Sequence, residues 1–174
     1  MMSLFDGTKR ASWEPLHVKI LHVDHRRRKL KHSDSPWFLD NAYVFRPRAI
    51  AALGDMLREY GELLPLDCAD PLSVFNVTRL LPAINGATAD IKRSDLDAFT
   101  WIGHYGLRHD AIAGSDIFKI ADLPVSSIFV TQRFVDLWQT TGLRGLTFPL
   151  VKPTFATAAI AGEQGERKTD QSSR

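Results

Sequence analysis

The clearest alternation of apolar and polar positions lies between residues 43 and 61. Tyr43-Val44-Phe45 is a β-branched and aromatic run, which predicts a strand. Pro47 suits the first position of a helix, because the N–H that proline lacks would have no intrahelical partner there. Gly61 is expected to end that helix in the left-handed conformation. The apolar positions of the predicted helix recur every three or four residues and are Ile50, Leu53, Leu57 and Tyr60.

A second unit with the same order of patterns lies near the C-terminus. Residues 128–130 predict a strand, and Thr131 is the predicted N-cap because its hydroxyl can accept a hydrogen bond from a free helix N–H. The predicted helix ends at Gly142, and residues 146–148 are expected to form the closing strand. The apolar face of this helix consists of Phe134, Leu137 and Trp138.

The two units align with nearly constant spacing. Phe45 corresponds to Val130 at an offset of 85 positions, and Gly61 corresponds to Gly142 at an offset of 81. We interpret the units as an internal strand–helix–strand duplication in which the second helix is about one turn shorter. A chance likeness of two ordinary units is the alternative, since two copies are few for a repeat.

Weaker patterns complete the prediction of an α+β fold. Its sheet is expected to be mixed or antiparallel, with the two related units packed into one domain over residues 13–152. Residues 1–12 are expected to be flexible, with Trp13 as the first anchor, and residues 153–174 to be disordered because they are small and polar. Further strands are predicted over residues 18–23, 62–67, 74–81, 107–112 and 117–120, and a short helix over residues 95–102.

Composition places few limits on function. A chain of 174 residues with a 44% hydrophobic share can bury a core without disulfides or metals. The net charge of +2 neither requires nor excludes a nucleic-acid partner. The single cysteine, Cys68, allows no internal disulfide. The first residues lack a signal-like apolar run, and no stretch approaches the roughly 20 apolar residues of a membrane span, so we expect a cytoplasmic protein without a membrane partner.

The sequence carries no recognisable catalytic motif. It has neither a Gly-rich phosphate loop nor a Gly-x-Ser-x-Gly nucleophile elbow. His22 and Asp24 would share one face of a strand while His25 faces away, which makes a weak metal site. We expect no cofactor, no metal and no catalytic residue. The remaining candidates for a ligand cluster or a dispersed catalytic site are His104, His109 and Asp110.

A basic run over residues 26–31 is the first candidate for binding. Its polarity and the Ser-Asp-Ser-Pro sequence that follows are typical of an exposed turn. Its cations could contact phosphates. However, no aromatic residue interleaves with them, so base stacking is not suggested and a nucleic-acid partner is disfavoured. The candidate contact residues of this run are Arg26, Arg27 and Arg28.

The second candidate, residues 99–108, is rich in Trp, Tyr and Arg, the residue types of the energetic centres of protein interfaces. Trp101 is assigned equally well to the core, whereas His104 and Tyr105 are expected to be exposed between Gly103 and Gly106. These glycines also have the Gly-x-x-Gly form of a nucleic-acid clamp. The candidate contact residues are Trp101, His104, Tyr105 and Arg108.

Six stretches occur in an order and spacing that resemble a known family. They are residues 43–57, 62–66, 74–77, 117–120, 127–131 and 141–148. The last is the most distinctive and contains Gly-Leu-Arg-Gly-Leu-Thr-Phe after the predicted helix. Together these stretches resemble the immunity protein eleven family of bacterial polymorphic toxin systems, over about residues 16–151.

The resemblance implies a non-enzymatic immunity protein that binds and neutralises a cognate secreted toxin in the cytosol of the producing bacterium. It implies no catalytic residues, and the oligomeric state stays open. Two other hypotheses remain. One is a nucleic-acid-binding module that uses the basic run over residues 26–31, and the other is an enzyme with a dispersed site at His104, His109 and Asp110.

Overall fold

The computed structural model describes residues 4–93, 99–123 and 127–151. In chain order the elements are β1 (Tyr43–Phe45), α1 (Pro47–Tyr60), β2 (Gly61–Pro65), β3 (Ser73–Val77), β4 (Leu80–Leu81), β5 (Asp90–Arg93), β6 (Phe99–His104), α2 (His109–Ile112), β7 (Ile117–Ile120), β8 (Phe129–Val130) and α3 (Gln132–Thr140).

The first strand–helix–strand unit is confirmed and closes around a third strand. β3 lies between β1 and β2 and is antiparallel to both. Phe45 and Pro65 therefore flank Ser73 from opposite sides. Helix α1 begins at Pro47, as predicted, and carries the chain from one outer strand to the other.

One face of this sheet packs against the helices. Phe75 and Val77 from β3 join Leu53 and Leu57 from α1 in a first apolar cluster, and Trp138 from α3 completes it. Helix α1 ends before Gly61, but the predicted left-handed conformation of Gly61 is wrong, because its φ of −176° is extended. Glycine is needed there for close approach: a Cβ would lie 2.3 Å from the backbone oxygen of Asn76.

The other face of the sheet is covered by the N-terminal part of the chain. Val44, Leu64 and Val74 form a second apolar cluster with Phe5, which is only 1% exposed. The first anchor is therefore Phe5, within the stretch predicted to be flexible, and not Trp13. Trp13 packs against the same cluster, with its ring centroid 6.2 Å from that of Phe5.

Two buried polar side chains tie residues 5–8 to the sheets. The ammonium of Lys119 on β7 donates to the backbone oxygen of Phe5 at 2.5 Å. The amide Nδ2 of Asn76 on β3 donates to the backbone oxygen of Thr8 at 2.9 Å. Both side chains are fully buried. A buried donor without an acceptor lowers stability, so Lys119 and Asn76 each need the carbonyl that they bind. These two hydrogen bonds therefore hold the N-terminal segment in place.

The remaining strands form two smaller sheets. β7 lies between β4, which is parallel to it, and β8, which is antiparallel. β5 and β6 form a separate antiparallel pair. A third apolar cluster covers the β4–β7–β8 sheet, with Phe118 and Phe129 stacked at 5.5 Å between ring centroids. The mixed and antiparallel sheets with packed helices confirm the α+β fold class.

The second strand–helix–strand unit is incomplete. β8, α3 and the left-handed Gly142 (φ +63°) follow the prediction, but residues 146–148 form no strand. The Thr131 hydroxyl does not cap α3 and instead donates to the Asp116 carboxylate at 2.6 Å. Phe148 still packs on Trp138, with ring centroids 6.2 Å apart. The closing segment thus contributes apolar contacts without strand pairing.

Tertiary pairing overrides several other predictions. Residues 18–23 form no strand, and residues 107–112 contain the short helix α2 in place of a strand. The helix predicted over residues 95–102 is wrong from Phe99 onward, where β6 begins, and residues 94–98 lie outside the described residues. The strand over residues 74–81 is divided because the amides of Thr78 and Arg79 both donate to the Tyr60 oxygen.

The predicted tail over residues 153–174 also lies outside the described residues. No helix in the described ranges is long and apolar enough to cross a bilayer.

A buried carboxylate joins α1 to the loop after α3. Asp34 Oδ2 accepts hydrogen bonds from Arg48 Nη1 at 2.8 Å and from the backbone N–H of Arg144 at 2.9 Å. The same Arg48 donates through Nη2 to the Thr141 oxygen at 2.9 Å, at the C-terminal end of α3. The distinctive segment after Gly142 is therefore fixed by polar contacts as well as by its apolar side chains.

Replacing Asp34 with asparagine is expected to lower the free energy of unfolding by about 1–3 kcal/mol, because the charged acceptor of two hydrogen bonds is lost in a buried position. Urea denaturation would measure the change. Asp55→Asn is the control, since this carboxylate on α1 is fully exposed, and a surface change of this kind costs within about 0.5 kcal/mol. Equal effects of the two variants would contradict the role given to Asp34.

Because the ammonium of Lys119 is buried, we expect the free energy of unfolding to increase as the pH becomes alkaline. Burial lowers the pKa of Lys119 to about 8, and the nearby Asp6 carboxylate opposes that shift. Between about pH 8 and pH 10 the unfolded chain keeps this proton while the folded chain loses it. The free energy of unfolding should therefore rise by up to about 1.4 kcal/mol per pH unit. Burial raises the pKa values of Tyr43, Tyr60 and Tyr105, so in the folded chain these groups keep their protons, and they lower the stability only as pH approaches their unfolded value of about 10.

The measurement is a series of urea denaturation curves from pH 7 to pH 10. Lys119→Met removes the titrating group and should flatten the profile over that window. A wild-type profile that falls or stays level between pH 8 and pH 10 would show that Lys119 is charged in the folded state.

Candidate functional site

The basic run is the tip of a small β-hairpin, which we name the basic hairpin and define as residues 21–32. Val23 pairs with Lys29 in an antiparallel bridge. The Asp24 N–H donates to the Arg28 oxygen, and the Leu30 N–H donates to the His22 oxygen, both at 2.9 Å. The predicted exposed turn at residues 26–31 is confirmed in outline, because every residue of the hairpin except Asp24 is exposed.

The carboxylate of Asp24 organises the tip from inside. It accepts hydrogen bonds from the backbone N–H groups of Arg26 at 2.8 Å and Arg28 at 2.9 Å. It also accepts one from Arg28 Nε at 2.7 Å. The bond from the Arg28 backbone, followed by that from its side chain, lowers the pKa of Asp24. An isolated two-stranded hairpin is marginal in water, so these bonds supply the order that packing does not.

The three arginines of the tip have different roles. Arg28 is held by Asp24 and therefore serves the architecture of the turn. Within the described ranges, Arg26 and Arg27 have no carboxylate partner, and both side chains are exposed. Arg27 also has a positive φ of 60°. It occupies the left-handed position that follows the turn in three-residue hairpin loops, where glycine is the usual residue.

The second candidate stretch is largely used for packing. The Tyr105 ring meets Phe129 edge-on, with centroids 4.8 Å apart, and burial raises the pKa of its hydroxyl. Tyr105 and His104 are half-buried, so the expected exposure of both is only partial. Arg108 is exposed and pairs with Asp110 at 2.6 Å. Trp101 lies on β6, and its side chain is outside the described residues.

The Gly-x-x-Gly sequence in this stretch does not form an open clamp. Gly103 and His104 belong to β6, and His104 pairs with Asp90. Gly106 has a φ of +55° and approaches Ala89 so closely that a Cβ would lie 2.6 Å from its backbone nitrogen. The glycine therefore serves a close approach between two loops.

Exposed apolar side chains are concentrated in the hairpin and in the residues that follow it in sequence, and the sequence prediction missed them. Among the described residues, seven large apolar side chains are exposed, and five of these lie between residues 21 and 39. Trp37 is the largest, with 82% of its surface exposed. The sequence feature that could have predicted this exposure is the position of Trp37 directly after Ser-Asp-Ser-Pro, a polar turn sequence. The five side chains are Leu21, Val23, Leu30, Trp37 and Leu39.

Within the described residues, neither the cysteine nor the histidine candidates belong to a metal-ligating cluster. The described part of the chain contains no cluster of three or more His, Cys, Asp or Glu side chains that could hold a metal ion. Cys68 is half-buried against the second apolar cluster. A surface groove of about 600 Å³ runs along α1 and the start of α3, and its lining includes Ile50, Arg58 and Arg133. The His104, His109 and Asp110 group does not line this groove.

No protein-family model matches the chain, and no curated protein matches it significantly.

Removing the Asp24 carboxylate is expected to disorder the hairpin while leaving the core intact. In Asp24→Asn, the amides of Arg26 and Arg28 lose their charged acceptor and should exchange with solvent faster, whereas β3 amides should be unchanged. Hydrogen exchange followed by NMR measures both. Because the pKa of Asp24 is lowered, the wild-type hairpin should keep its order above about pH 4 and lose it as pH falls further. Unchanged exchange at Arg28 in the variant would contradict this role.

Proposed function

We propose that this protein is a non-enzymatic immunity protein that binds and neutralises a cognate secreted toxin in the cytosol of the producing bacterium. The observation that supports this best is the concentration of exposed apolar side chains between residues 21 and 39, next to unpaired arginines. Large apolar side chains left exposed within one short segment of a folded chain are expected where a protein partner covers them. Tryptophan and arginine are the residue types that contribute most at the centres of such interfaces.

The position of this surface agrees with a dedicated binding role. The segment that carries it is held at three points: Val18 N–H donates to the Asp67 oxygen before the hairpin, Asp34 is buried between the hairpin and Trp37, and strand β1 begins at Tyr43. The exposed side chains are therefore presented by an ordered backbone, which reduces the entropy lost on binding. The motif order that resembles the immunity protein eleven family supports the same proposal.

The direct test uses the reading frame beside this one. If it encodes a large secreted protein with a C-terminal toxin domain, that domain should arrest growth when expressed alone, and co-expression of this chain should restore growth. The two products should also co-purify as one complex. Loss of protection when both proteins are present at equal levels would rule out the immunity function.

Trp37→Ala is expected to weaken binding of that toxin domain at least about tenfold, because a large exposed aromatic anchor is removed. Isothermal titration calorimetry measures the dissociation constant. Leu150→Ala is the matched control, since Leu150 is 84% exposed and lies outside the 21–39 stretch. Its affinity should stay within about twofold of the wild type. An unchanged affinity of Trp37→Ala, or an equal loss of affinity in Leu150→Ala, would contradict the role given to Trp37.

A further inference from the structure

The charge of this protein is concentrated in the basic hairpin. Residues 21–32 contain five cations and one carboxylate, which leaves a net charge of +4. The whole chain carries +2, so the remainder carries −2. A local field of this sign attracts an anionic partner to the hairpin and repels it from the rest of the molecule.

The distribution of side chains along the hairpin specifies the shape of that partner. The tip, residues 25–27, is His-Arg-Arg, and the exposed apolar side chains lie behind it. Val23 is directly opposite Lys29, whereas Leu30 pairs with His22. Because successive residues of a strand alternate between faces, Val23 and Leu30 lie on opposite faces of the hairpin. Apolar surface on both faces behind a charged tip fits a cleft, not a flat surface.

The backbone at the tip points to the same use. Arg27 is the one non-glycine residue with positive φ in the described part of the chain. Glycine would adopt this conformation without strain, whereas arginine does not. Glycine would relieve this strain, yet arginine occupies the position. This suggests that the arginine side chain is required for function.

These features favour an acidic protein cleft over the other anionic partners. A bilayer would have to bury the charged tip before it reached the apolar side chains behind. A nucleic acid would leave Leu21, Val23 and Leu30 without apolar partners, and the hairpin contains no Phe, Tyr or Trp for base stacking. A protein cleft can place carboxylates at its floor and apolar side chains on its walls, and arginine binds carboxylates through paired hydrogen bonds.

We propose that the basic hairpin inserts into a cleft of the cognate toxin that has an acidic floor and apolar walls, with Arg26 and Arg27 reaching the floor. This inference rests on the proposed function, because the toxin is the partner. Arg28 keeps the hairpin in shape through Asp24 and does not need to reach the partner.

The variant Arg27→Gly tests the contribution of the Arg27 side chain to binding without lowering the stability of the fold. The substitution removes the side chain and relieves the strained backbone, so the melting temperature should stay the same or rise. The dissociation constant for the toxin domain encoded by the adjacent reading frame should increase at least tenfold. Arg58→Ala removes a comparably exposed arginine on α1 and should change the affinity less than twofold. A more stable Arg27→Gly variant with wild-type affinity would overturn the proposal.

Two further measurements identify the partner chemistry. Association of wild-type chain with the toxin domain should slow at least tenfold as salt is raised from 50 to 500 mM, and Arg26→Glu with Arg27→Glu should abolish that dependence. A DNA duplex of arbitrary sequence and vesicles of phosphatidylcholine with phosphatidylserine are the competing probes. Tighter hairpin-dependent binding to either probe than to the toxin domain would overturn the acidic cleft.

The outcomes distinguish this inference from the proposed function. If the toxin domain binds and growth is protected, but the hairpin variants bind as tightly as the wild type, the immunity function stands and the hairpin contact is wrong. If the toxin domain does not bind the wild-type chain at all, the proposed function itself fails.

Discussion

The burial of strand β3 on both faces is the constraint on which the rest of the structure depends. β3 carries apolar side chains toward both faces of its sheet, Phe75 and Val77 on one and Val74 on the other, so both faces need a cover. Helices α1 and α3 supply one, and the N-terminal part of the chain supplies the other. Asn76 and Lys119 add a polar requirement, since both are fully buried and both donate to carbonyls of residues 5–8. The N-terminal segment is thereby an integral part of the fold.

The segment after α3 has a similar structural explanation. The glycine-rich stretch that begins at Gly142 is held by Asp34 and Arg48, and its apolar residues close the first cluster. The most distinctive part of the sequence therefore serves folding. Function has to be sought where the chain presents ordered side chains that the fold does not use.

The basic hairpin meets that description and residues 102–108 do not. Tyr105 packs on Phe129, and Arg108 is paired with Asp110, so that stretch supports the third apolar cluster and the sheets beside it. In the hairpin, by contrast, a single inward carboxylate fixes the backbone and leaves Arg26 and Arg27 unpaired. The division between Asp24, which builds the turn, and the arginines it displays allows the order of the turn and the proposed binding to be altered separately.

The sequence by itself determined the elements whose information is local. Helix α1 with its proline start, β7, α3 and the left-handed Gly142 follow from apolar spacing and from the backbone preferences of single residues. The α+β class and the exposed basic turn follow in the same way. The tertiary structure decided three further features: the extended conformation of Gly61, the absence of a strand over residues 18–23, and the burial of Phe5. Each depends on a partner distant in the chain, such as Asn76 for Gly61 and Lys119 for the Phe5 carbonyl. Trp37 is exposed for the same reason: an aromatic residue is buried only where other elements meet to cover it, and none does so here.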